Sequence, residues 1–111
     1  MPGVTIIRPE KLTREPVNHS VAASKMVLIP PQVVSPLVQF AQAWFSKGDR
    51  VERHFHDGIT EVFFLVSGGA TSLGPGGEPV RPGDSVLVPP GAEHGFEFTE
   101  ASHMVYFAIV S

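Results

Sequence analysis

The chain has 111 residues, a net charge of −3 and a pI near 5.9. That length suits one domain with an adequate but not generous core, and the acidic balance argues against nucleic acid or an anionic membrane as a main partner. There is no cysteine, which excludes disulfides and thiolate metal sites, and no window reaches the apolar length of a membrane span.

Eleven glycines and eleven prolines disfavour a helical protein and suit many short strands joined by turns. The chain does not open with a basic segment followed by an apolar run, so no signal peptide is read and a cytoplasmic location is expected. Val4 to Arg8 (VTIIR) reads as a short apolar strand with no hairpin partner nearby, ended by Pro9. Glu10 to Ser20 is polar and reads as loop. Val21 to Ile29 reads as a strand, although Ala22 and Ala23 leave a short helix open, and Pro30-Pro31 then breaks the chain. Residues 1–34 are accordingly expected to form an N-terminal strand-and-loop arm, and residues 35–111 a barrel domain.

Leu37 to Ser46 is a strand with aromatic weight leading to Gly48. From there to Gly68 the sequence is GDRVERHFHDGITEVFFLVSG. His54 and His56 are two residues apart, and side chains at i and i+2 of an extended strand point to one face. With clean alternation Glu52 would join them, while Arg53 and Phe55 face out; a bulge would reverse part of this. Asp57-Gly58 is a turn signal, and Glu61 opens the β-branched and aromatic strand that returns. Two imidazoles and a carboxylate on one face suit a divalent transition metal with open positions left over.

Short strands are expected at Ala70 to Leu73 and Glu78 to Arg81, separated by the Gly74-Pro75-Gly76-Gly77 turn. The stretch GDSVLVPPGAEHGFEF from Gly83 to Phe98 then gives a turn, a strand over Ser85 to Val88, a rigid Pro-Pro-Gly break and a strand opened by His94. In this reading His94 is the fourth ligand. Met104 to Val110 is the last strand. Gly48 and Gly83, each before an aspartate, mark tight turns that need unusual φ. His19 and His103 fit neither motif and read as structural or solvated.

The first stretch reads G-x5-H-x-H-x4-E-x6-G and the second G-x5-P-x-G-x2-H. Together they resemble the two signature motifs of the cupin superfamily, in the expected order and separation, over roughly residues 36 to 110. The second motif often closes with an asparagine where this chain has Phe98. The resemblance implies an all-β, double-stranded β-helix (a jelly-roll barrel) with a metal held by His54, His56, Glu61 and His94. It further implies one divalent transition ion, iron or manganese favoured, with nickel, zinc, cobalt and copper chemically admissible. In similar small cupins the N-terminal strand often crosses to a partner, and a homodimer is expected.

Counting by twos from His94 puts Phe96 and Phe98 on the metal-facing side, and Glu61 likewise puts Phe63 inward. With Tyr106 these are the candidate pocket residues, and Glu61 is the candidate proton acceptor. The reading is a metal-dependent enzyme acting on a small oxygenated molecule by dioxygenase-type, lyase, isomerase or cyclase chemistry. The alternative is a metal-containing binding or sensing module without catalysis, because this fold carries many functions.

Overall fold

The computed structural model describes residues 3–17, 23–74 and 76–110; His19, Val21 and Ala22 lie outside them. Ten strands fall among the described residues: β1 (Glu15–Pro16), β2 (Ser24–Ile29), β3 (Leu37–Phe45), β4 (Arg50–His54), β5 (Ile59–Ser67), β6 (Ala70–Ser72), β7 (Pro79–Val80), β8 (Ser85–Val88), β9 (His94–Phe98) and β10 (Ser102–Val110). The described helical structure is a single 3-10 turn at Pro9–Lys11. The strands form a six-stranded sheet, β1-β2-β3-β10-β5-β8, and a four-stranded sheet, β4-β9-β6-β7, with every pairing antiparallel. This is the jelly-roll arrangement expected from the sequence: two sheets with their apolar faces turned toward each other.

The two halves share one turn chemistry. At Gly48 (φ +89°) and Gly83 (φ +92°) the backbone enters the left-handed region that glycine adopts freely. In each turn the following aspartate closes the loop twice. The Ser46 N–H donates to Oδ2 of Asp49 at 2.8 Å and the Arg81 N–H to Oδ2 of Asp84 at 2.8 Å. The aspartate N–H groups donate back to the carbonyls of Ser46 and Arg81, at 3.0 and 2.9 Å. Each Gly-Asp pair therefore sets the entry to a strand, and each is followed downstream by a histidine of the site.

Side-chain alternation divides β5 and β10 cleanly. Glu61, Phe63 and Leu65 face inward, while Phe64 and Val66 are 42% and 43% exposed on the outer face. The packed floor is built from Leu65, Phe96, Phe98 and Met104, all essentially removed from water. Above it the inner faces of β3 and β10 carry small residues, Ala41, Ala43 and Ala108. Space remains there because a methyl group stands where longer side chains would meet.

Three details differ from the sequence reading. Val4 to Arg8 has no strand assignment and is largely exposed, with Val4 at 94%; among the described residues no strand edge pairs with it. Residues of the N-terminal region do enter the main sheet, because β1 pairs with β2 and β2 with β3. In β4 the alternation slips. Val51 pairs with Phe96 and is buried, the next paired residue is His54 opposite His94, and Glu52 and Arg53 are both exposed. This is a β-bulge, with two residues of one strand set against Gly95 of the other.

Candidate metal centre

The bulge is what aims His54. It adds one residue between Val51 and His54, so that both point inward although their spacing is odd. Gly95 makes room for it. A Cβ there would lie 2.5 Å from the Val51 carbonyl oxygen and 3.1 Å from the Arg53 nitrogen. Outside the barrel, Arg53 pairs with Glu93, the residue preceding His94. Both are about half exposed, so this pair orients the two segments more than it stabilises them. The Pro89-Pro90-Gly91 break is tied to the other histidine segment through the Gly91 N–H, which donates to the His56 carbonyl at 2.8 Å.

These elements bring all four sequence-predicted ligands together. One ligand atom from each of His54, His56, Glu61 and His94 lies within 4.8 Å of the others, a group that could hold a metal ion. His54 and His94 come from the four-stranded sheet, Glu61 from β5 of the six-stranded sheet, and His56 from the loop between them. The Nδ1–H of His54 donates to the Glu52 carbonyl at 2.7 Å, and that of His94 to the Ala92 carbonyl at 3.1 Å. Those bonds fix the tautomer and leave Nε2 with its lone pair on the cavity side, as metal-ligating histidines are held.

The interior of the cluster is short of protons. Nε2 of His94 lies 2.9 Å from Oε1 of Glu61. The two form an ion pair when the ring is protonated, and among the described residues neither atom has a further hydrogen-bond partner. Nε2 of His56 is 3.5 Å from the same oxygen. With the ring neutral the two face each other as buried acceptors, which is costly, and a divalent cation at their convergence would satisfy them together. The residues fit such an ion. Burial works to lower the pKa of His94, but the Glu61 carboxylate and the Ala92 carbonyl outweigh it, and the net direction is upward. The carboxylate 2.9 Å away favours the imidazolium whether or not the pair is aligned.

The cluster opens into a cavity of about 170 Å³. Its apolar wall includes Phe45, Phe63, Phe96 and Met104, and its polar groups beyond the ligands are Tyr106, Gln39 and Lys25. Phe63 stacks on Tyr106 with centroids 5.4 Å apart and meets Phe96 edge-on at 5.1 Å. Burial, then the charges of Glu61 and Glu15, push the Tyr106 phenol up to about 12, so it remains a neutral donor. Three of the four candidate pocket residues thus line the cavity. Phe98 does not. It faces inward as the alternation predicts, but Phe45 covers it in a stack with centroids 3.8 Å apart and planes 9° from parallel.

Lys25 and Gln39 escaped the sequence reading. The only signal for Lys25 was a lone lysine inside an apolar run. His103 is a structural residue on the outer face. It stacks on Trp44 at 5.3 Å and bonds the Gln42 side chain at 2.8 Å, and the Arg14 guanidinium also lies over the indole, 3.7 Å from the ring centroid.

The comparisons agree with this architecture. A cupin-domain family profile matches residues 44–110, more than half of the chain, and the chain belongs to the cupin family. Among solved structures it is similar to the polyketide cyclase RemF from Streptomyces resistomycificus, at 19% identity and a TM-score of 0.81, covering 98% of this chain and 81% of that one. It is also similar to a protein described as a "predicted oxalate decarboxylase" from Thermotoga maritima, at 17% identity and a TM-score of 0.79, covering 96% and 100%. A Cupin 2 conserved barrel domain protein from Salinispora arenicola matches at 22% identity and a TM-score of 0.77, covering 98% and 92%. At such identities the likeness concerns the fold. No functionally curated protein matches the chain.

Proposed function

We propose that this cupin is a metal-dependent enzyme acting on a small oxygenated organic molecule, with His54, His56, Glu61 and His94 holding one divalent transition ion. The observation that carries the reading is the convergence of one ligand atom each from His54, His56, Glu61 and His94 within 4.8 Å of one another, facing a cavity. Iron and manganese suit three imidazoles and one carboxylate, and nickel, zinc, cobalt and copper fit the same donors. A bound ion would supply Lewis acidity toward substrate oxygens and, where redox-active, oxygen chemistry of the dioxygenase type. The neighbouring likeness to a polyketide cyclase and to a predicted oxalate decarboxylase is compatible with cyclase, lyase or isomerase chemistry as well.

The chain's own residues divide the remaining work. Glu61, most of it shielded from water, would accept a proton from a substrate held against the cluster if its carboxylate swings off the ion. The neutral Tyr106 phenol, which makes no hydrogen bond to any described residue, is placed to donate one to a substrate oxygen. The aromatic wall excludes water and favours an apolar or aromatic body over a polyhydroxylated sugar, whose hydroxyls would lose their hydration unpaired. Among the described residues no helix is long and apolar enough to cross a membrane, and a cytoplasmic location is proposed with the enzyme reading.

Elemental analysis of tag-free protein, together with the His56→Ala and Glu61→Gln variants, tests the site. About one ion per chain is expected in the wild type, with a sharp loss of occupancy in His56→Ala. Full stoichiometry and affinity in every single-ligand variant would place the ion elsewhere. Turnover of an oxyacid or diketone by the loaded wild type, absent in Glu61→Gln, separates an enzyme from a binding module.

A homodimer belongs to the same proposal. Phe64, Val66 and Leu87 form an exposed apolar patch on the outer face of the six-stranded sheet, Leu87 at 68%, and the Val4 to Arg8 segment has no strand partner among the described residues. A dimeric mass by light scattering is expected, weakened by deleting residues 1–9. A monomer across a wide concentration range would end the idea.

A further inference from the structure

We infer that Lys25 is the second anchor of the substrate site, so that the cavity takes a bianionic molecule. One oxygen group would lie at the metal cluster, a carboxylate or similar anion would reach the Lys25 ammonium, and an apolar segment would join them. The inference rests on the metal-site reading above and adds to it the far end of the substrate.

The placement follows from register. Lys25 pairs with Ala43 on β3, whose methyl points inward, and Ala43 in turn pairs with Met104 on β10. Lys25 therefore projects toward the barrel interior. It is 8% exposed and lines the same cavity as the four ligands. Lysine is almost never this buried unless its charge is paired, because an unpaired ammonium loses its hydration at high cost. The pairing here is weak. Among the described residues Glu15 is the one carboxylate in ionic contact, at 3.8 Å, beyond hydrogen-bond reach. That carboxylate is itself about half exposed, on a two-residue strand at the sheet's edge. An ammonium has three donors, and none of them makes a hydrogen bond to a described residue.

The ammonium and Glu61 of the cluster stand apart on the inner face of one sheet and line the same cavity. Lys25 is on β2 and Glu61 on β5, with β3 and β10 between them in the sheet. Three strand spacings, about 14 Å in all, with the offset of about 13 Å from Leu65, which is in register with Lys25, to Glu61, put the backbones about 19 Å apart, and the two side chains shorten that gap from both ends. The wall between them is apolar and small: Ala43, Ala108 and Met104, with Phe45 and Phe63. Such a wall offers no polar contacts to a sugar-like middle and suits a hydrocarbon or aromatic spacer. Gln39 and Tyr106 are the polar exceptions, both neutral donors. An incoming anion would displace Glu15 from Lys25 and make the charge-assisted hydrogen bonds that Glu15 is too distant to make.

The test is calorimetry on metal-loaded protein with straight-chain α,ω-dicarboxylates of graded length, each against the monocarboxylate of equal length. At one optimum length the dicarboxylate should bind about ten- to a hundredfold more tightly, the size of a hydrogen-bonded charge contact. In Lys25→Met that preference should vanish while metal stoichiometry and monocarboxylate affinity hold. Lys25→Arg should retain most of it. Glu15→Gln, on the exposed edge, should raise dicarboxylate affinity several-fold by removing the competitor. If Lys25→Met does not fold, Lys25→Arg and Glu15→Gln still decide. Metal loading with no dicarboxylate preference at any length, or a preference untouched by Lys25→Met, or by Glu15→Gln where Lys25→Met is unfolded, overturns the inference alone. Failure to load metal overturns the functional reading and the inference with it.

Discussion

Replacing Gly95 by alanine probes the bulge that aims His54. A Cβ at position 95 would lie 2.5 Å from the Val51 carbonyl oxygen, 3.1 Å from the Arg53 nitrogen and 3.1 Å from the Glu52 carbonyl carbon. Even close carbon–oxygen contacts stand at about 3.3 Å, so about 0.8 Å of separation must be found. All three neighbours are main-chain atoms and cannot swing aside, so β4 must move away from β9. Overpacking of this kind costs about 1–3 kcal/mol, offset by about 0.4–1 kcal/mol from the stiffer unfolded chain. For a domain of this size the net loss corresponds to a fall in Tm of about 5–10 °C. Metal affinity should suffer more. His54 and His94 are directly opposed across this ladder, and a site tolerates about 0.2 Å of ligand displacement, so a loss of at least about tenfold is expected. Thermal unfolding with and without metal, and a metal titration, read both effects. Gly69→Ala is the control, because its Cβ would meet the side-chain ends of Thr99 and Glu100 at 3.1 and 3.3 Å, which can give way. Equal Tm and equal metal affinity in the two variants would refute the account of the bulge.

Phe98→Asn, which restores the residue common at that motif position, should behave as a core mutation. Burial at 1% and the stack on Phe45 point to a loss of about 3–5 kcal/mol, read from denaturant midpoints; a change in ligand selectivity with unchanged stability would contradict it. The metal's effect on Tm should grow with pH. In metal-free protein the raised pKa of His94 means that its pair with Glu61 stabilises the fold fully below the unfolded histidine value of about 6.5 and that this contribution is lost as pH rises through the higher folded value. Metal needs the neutral ring, so below that folded value each pH unit downward should cost about tenfold in metal affinity. Differential scanning of chelated and loaded protein from about pH 5.5 to about pH 8 checks both limbs; a metal-induced shift in Tm that is flat across the range would contradict the ligand assignment of His94.

The gathering of the four site residues was legible because it depends on turns, and turns are written locally. Gly48-Asp49, Asp57-Gly58 and Pro89-Pro90-Gly91 fix where the flanking segments go, and the histidines and the glutamate stand at short, fixed distances from them. The inward direction of Phe63 and Phe96 followed from period-two alternation alone. What alternation could not supply was the slip at Val51, since counting by twos back from His54 puts Glu52 inside. The cause lies across the ladder, at Gly95, more than forty residues away in sequence. The sealing of Phe98 was hidden for a similar reason: an inward direction does not say whether another ring, here Phe45, lies on top. Val4 to Arg8 has strand composition, but composition does not provide a neighbouring edge. Lys25 was overlooked because the run around it is apolar, and a lysine in such a run reads as a surface interruption until register puts it opposite Ala43.

That last residue bears on how one small barrel can be both stable and open. The floor of large side chains under the cluster provides the burial, while the alanines of β3 and β10 leave volume above it. A cavity walled only by apolar groups would bind molecules by shape and desolvation, with little preference for orientation. Charge at both ends changes this. In the proposed site a bound ion would draw an oxygen donor to one end and the Lys25 ammonium an anion to the other, so a bianionic molecule would have only two end-to-end placements, differing in which anion meets the ion. An apolar middle does not favour either placement. The choice then falls to the neutral donors between, Gln39 and Tyr106, which can hydrogen-bond a substrate oxygen at one position along the chain and leave it unpaired at the other. On that proposal specificity would be set by the polar residues of the wall, and the four ligands common to the motif would contribute affinity for the ion.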